Sequence, residues 1–151
     1  MNLNKIIAGV AMAVGLAATQ VALAGSFVWP NQPSQHVPAT LEGVRSVLTS
    51  TFRGPHVASR VVAFSDAVAA TIVYTDIRCP SPVPDPDFEG GALAFMLRDA
   101  GGVEPGCYKA GMLMAQVAWA NGAIGDYSLQ SATMTKLGLQ YKTLRNITYG
   151  Q

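Results

Sequence analysis

The sequence predicts a mainly β (α+β) domain, a small antiparallel β-meander or sandwich with one short N-terminal helix and one disulfide. Three observations carry this. From Val57 onward, β-branched and aromatic residues gather in runs bounded by turn signals. A single earlier segment has helical spacing. The chain also holds two cysteines, Cys79 and Cys107, behind an export leader.

Residues 1–24 read as a secretory signal peptide. Lys5 supplies the positive start, residues 6–21 are apolar and small, and Ala22-Leu23-Ala24 matches the small-x-small cleavage pattern. The competing reading is a retained anchor; the Gly- and Ala-rich composition and the Ala-Leu-Ala ending favour cleavage. No cysteine stands at the cleavage site to take a lipid. After Gly25 no apolar run reaches the ~18 residues of a spanning helix, since the longest, 110–125, is interrupted by Gln116 and Asn121. The expected location is periplasmic or secreted, with no transmembrane segment after cleavage, and the two cysteines are expected to be bonded there.

Residues 25–39 hold Pro30, Pro33 and Pro38 among polar residues and read as an extended Pro-rich arm. Residues 40–151 then form a single disulfide-tied β-rich domain. In 40–52, Leu41, Val44, Val47, Leu48 and Phe52 keep helical spacing, with Thr40 as N-cap and Gly54-Pro55 as the stop. Residues 57–64 and 67–77 read as strands, with Ser65-Asp66 as the turn between them. Four prolines between 80 and 86 forbid regular structure and make a loop. Residues 91–98 read as a strand ending at Gly101-Gly102, although Ala, Leu and Met also suit a short helix. Residues 112–120 and 123–129 read as a hairpin around Asn121-Gly122, a type I′ signal. Residues 140–149 alternate enough for a last strand.

Tyr74-Thr75-Asp76, Cys79, Gly106-Cys107-Tyr108, Val117-Ala118-Trp119-Ala120-Asn121-Gly122 and Tyr127 together resemble a pattern of small exported proteobacterial proteins. In that pattern a "YTD..C" strand precedes a "GCW" or "GCY" strand and a "V.V.W.DG" hairpin. The resemblance spans 72–129 and departs from the pattern at Tyr108 and Asn121. It implies a disulfide-tied β-meander and no chemistry.

Charge narrows the partners. Lys5 is the only charged residue of the leader, so its removal takes ten basic residues to nine, against nine acidic ones, a formal net of zero. The charges are scattered, without the basic stripe that nucleic acid requires. Little net charge suits a chain that docks or self-associates.

No catalytic constellation stands out. Ser65, His56 and Asp66 are the residue types of a triad, but no Gly-x-Ser-x-Gly elbow accompanies them. His36 and His56 are too few to define a metal site. Asp85, Asp87 and Glu89 alternate before a glycine, as calcium ligands do, yet the closing acidic position is empty, and whether they bind calcium stays open. Asp76, Asp99, Glu104 and Asp126 are the carboxylates a hydrolase would draw on, placed at expected turns and strand ends. No cofactor is expected. Phe27 and Trp29 in the arm point to partner contact, with docking onto the chain's own domain as the alternative. Tyr108, Trp119 and Tyr127 are expected to share one sheet face. The functional expectation is a non-enzymatic exported binding or assembly module of the cell envelope or surface, engaging a protein partner or itself. A small exported hydrolase or inhibitor domain using loop carboxylates is the alternative.

Overall fold

The computed structural model describes residues 40–149. The leader and the arm, with Phe27 and Trp29, lie outside them. The chain is mainly antiparallel β, as expected. Two helices, α1 (Leu41–Thr51) and α2 (Pro55–Ala58), precede six consecutive strands. These are β1 (Val61–Ala67), β2 (Ala70–Arg78), β3 (Ala92–Arg98), β4 (Val103–Ala110), β5 (Met114–Trp119) and β6 (Ile124–Ser128). A short β7 (Thr133–Met134) and helices α3 (Lys136–Gln140) and α4 (Leu144–Tyr149) complete it. The sheet order is β6-β5-β4-β3-β2-β1-β7, antiparallel throughout. Among the described residues no helix is long and apolar enough to cross a membrane.

The sheet is curled, and chain length requires it. Four residues link Ser128 to Thr133, five Cα–Cα steps that reach at most about 18 Å when extended. Six strand spacings of about 4.8 Å would set the edges of a flat sheet about 29 Å apart. A four-residue link therefore carries the chain from one edge strand to the other only if the edges approach each other.

Each face buries its own core. The convex face packs Phe64, Val73, Leu93 and Phe95 under α1 and α2. Thr40 caps α1 through its hydroxyl, which accepts from the Gly43 N–H at 3.1 Å. Val44, Val47 and Leu48 bury the helix's apolar stripe, and Phe52 meets Phe95 at 5.1 Å between ring centres. The concave face packs Ile72, Tyr74, Tyr108, Val117 and Trp119 under Leu144 and Ile147 of α4.

Four local expectations are corrected. Residues 55–58 are helical because Pro55, expected only to stop α1, occupies the first turn of α2, where its missing N–H costs nothing. Ser65-Asp66 lies within β1; the turn falls at Val68-Ala69. The Asn121-Gly122 hairpin forms, but not as type I′. Its loop is Ala120-Asn121-Gly122, closed by Gly122 N–H to Trp119 O at 2.9 Å, with only Gly122 at positive φ (87°). Residues 140–149 form no strand. Thr135 starts a helix instead, accepting from the Gly138 N–H and donating to Val61 O at 2.8 Å. Leu144 and Ile147, three apart, then fall on one helix face and close the concave core.

Candidate functional site

The disulfide joins Cys79, immediately after β2, to Cys107 in β4, with Cα atoms 5.7 Å apart. It secures the proline-rich loop against the convex face. Pro80, Pro82 and Pro84 from that loop and Pro105 wall an apolar hollow of about 310 Å³ beside it.

The residues of the "YTD" and "GCY" motifs build the sheet. Tyr74 and Tyr108 stand on β2 and β4, and Ala94 and Ala92 are their respective partners on the β3 between them. Two small side chains there let the rings meet edge-on, 5.0 Å apart, over β3. Thr75 donates to Leu93 O at 2.8 Å, and Tyr108 donates to Thr75 O at 2.9 Å. Asp76 is buried and accepts from Arg60 Nε at 2.7 Å and from the Tyr141 hydroxyl at 2.8 Å. One carboxylate thus ties β2, the α2–β1 link and the end of α3 together. Its hydrogen bond holds the Tyr141 hydroxyl above its ordinary pKa. Gly106 faces Trp119 across β4–β5 so closely that a Cβ there would lie 2.7 Å from the indole. As expected, Tyr108, Trp119 and Tyr127 share a face, with Trp119 Nε1 donating to the Tyr127 hydroxyl at 2.9 Å.

The enzyme-like residue sets are dispersed. His56 is exposed on α2, which packs on the convex face, while Ser65 alternates with Phe64 and points to the concave face. Asp85 Oδ1 accepts from the Asp87 N–H at 2.8 Å, and Lys109 Nζ donates to Asp87 O at 2.6 Å. Among the described residues, no three His, Cys, Asp or Glu side chains gather as metal ligands do. Glu104 pairs with Arg98.

One hollow was not legible in the sequence. The curl brings β6 toward β1, and between them opens a cleft of about 400 Å³, lined by Ser65, Asp66, Met96, Asp126, Tyr127 and neighbouring small residues. The Tyr74 hydroxyl, on the same face of the sheet, is not part of its lining. It is fully buried and makes no hydrogen bond of normal geometry, although Ser65 lies close enough to favour its ionised form. Burial dominates and, with Tyr127 adding to it, pushes this hydroxyl up to about 12. In the sequence Ser65 reads as a turn residue or a triad serine and Tyr127 as part of a sheet face; nothing in their spacing of 62 positions brings them to one hollow. Comparison with known protein families, characterised proteins and solved structures found no match, so the functional reading rests on this geometry.

Proposed function

We propose that this chain is a non-enzymatic, exported protein-binding module whose partner-facing element is the β5–β6 hairpin. The observation that carries this reading is the state of β6. It ends the sheet, paired on one side only among the described residues. Ile124 on it is 53 % exposed, and Met114, on the same face of β5, is 45 % exposed. Met112 and Leu113 extend that apolar surface at the β4–β5 turn. A bare edge offers backbone N–H and C=O groups to another strand, and flanking apolar side chains give such β-augmentation its grip. The disulfide suits an oxidising compartment. Residues 144–149 are helical, so a C-terminal strand does not supply the pairing.

The test places a photo-crosslinking residue at Ile124, and as comparator at Val68, in the full chain exported by its own cell. A discrete adduct from position 124 alone, identified by mass as a second copy or another protein, is the expected result. No adduct from 124, or the same diffuse products from both positions, overturns the reading.

A further inference from the structure

The hollow beside the disulfide suits an apolar ring. Leu93 and Cys107 are buried at its floor, while Pro82, Pro84 and Ala120 are exposed at its rim. No charged side chain lines it. Its four prolines keep their carbonyl acceptors but carry no N–H. The lining is therefore poor in donors for an anion or a carbonyl, yet able to accept from an N–H. At about 310 Å³ it stands at the bottom of the ~300–1,000 Å³ range of small-molecule sites. That is room for one large side chain rather than a cofactor.

The chain carries such a side chain within reach. The described residues begin at Thr40, the cap of α1, and Trp29 precedes it by eleven positions. Leu41 at the start of α1 and Val83 of the hollow pack against the same convex core, so both lie on one face of the sheet. Eleven residues at the ~3.1 Å rise of an extended Pro-rich chain span about 34 Å. A compact body of the 110 residues from 40 to 149 has a radius of gyration of about 13 Å, hence a width of about 34 Å. A tether of this length also holds its own aromatic at a millimolar effective concentration, ahead of a more dilute competitor. Of the two roles the sequence leaves open for Trp29, docking onto its own domain is the one with a matching site.

We propose that Trp29 of the same chain fills this hollow, its ring against the prolines and its indole N–H donating to a wall carbonyl. An indole is the apolar side chain that offers a donor and asks for no donor in return. The docked arm closes the hollow and continues the apolar cover of the convex face beyond the disulfide. The proposal does not depend on pairing at the β6 edge.

The test is nuclear magnetic resonance of the full exported, disulfide-bonded chain, which has two indole N–H groups, those of Trp29 and Trp119. The expected result is Overhauser contacts from the Trp29 ring to the Leu93 methyls and to Pro82 or Pro84, within one chain. Trp29→Ala should move the Leu93, Cys107 and Ala120 amide signals and leave those of Ser65 and Tyr127, on the concave face, in place. Ala120→Glu sets a charge at the rim and should return the Trp29 indole signal to its position in the urea-unfolded chain. Unmoved Ile72 and Tyr74 amides in that variant show that the fold persists. Contacts to Leu93 found only between differently labelled chains would make a second copy the occupant and overturn the proposal. So would absence of contacts to Leu93 together with unmoved Leu93, Cys107 and Ala120 signals in Trp29→Ala.

Discussion

Tyr74 and Tyr108 pack edge to face 5.0 Å apart, and their hydroxyls have opposite fates. Tyr108 donates to Thr75 O at 2.9 Å, whereas Tyr74 has no partner. Two chemically identical groups in contact are thus expected to respond oppositely to loss of the oxygen.

Tyr74→Phe removes an unsatisfied buried hydroxyl and should leave stability unchanged or raise it by about 1 kcal/mol. Tyr108→Phe strips Thr75 O of a donor and should cost about 1 kcal/mol. Urea unfolding of the two variants beside the parent checks the sign of each. The same sign for both would show that packing of the rings, not their hydroxyls, decides the outcome.

The Cys79–Cys107 bond closes a loop of sequence separation 28. In the chain-entropy model a loop of this length contributes about 3–4 kcal/mol. Replacing both cysteines with alanine should lower the urea midpoint accordingly, and the native protein should titrate no free thiol. Two reactive thiols in undenatured protein would contradict the bonded state.

Gly106 admits the Trp119 ring because it has no Cβ. A Cβ would lie 2.7 Å from the indole and 2.8 Å from Ala118 O. Gly106→Ala should therefore destabilise by about 1–3 kcal/mol through overpacking. The Trp119 indole proton, held by Tyr127, should shift in the spectrum of the folded variant.

Alkali should unfold the protein in a defined window. Burial raises the Tyr74 hydroxyl from 10.0 to about 12 and the Tyr108 hydroxyl well above 10.0. Between those limits the unfolded chain has lost protons that the folded chain keeps. The stability from these groups is thus complete below pH 10 and declines from there upward, by up to about 1.4 kcal/mol per pH unit for each tyrosine. Unfolding midpoints measured from pH 9 upward check this, and Tyr74→Phe should make the decline shallower.

The sequence by itself determined what adjacent residues decide. The Thr40 cap and the 3–4 spacing of α1, the strands at 70–78 and 92–98, the hairpin at 119–124 and the pairing of the only two cysteines were all legible. These follow from backbone sterics, side-chain period and compartment chemistry. The C-terminal segment was misread because Tyr141, Ile147, Thr148 and Tyr149 favour strands by propensity, while the exposed concave core favours a helix that covers it. Only tertiary structure decided the curl, the return of β7 to β1 and the meeting of Ser65 and Tyr127 at one cleft. Period-2 alternation shows which residues share a face of the sheet. It does not contain the curvature of that face, because curvature arises from twist and register shifts summed over all the strands and from the short link that ties its two edges.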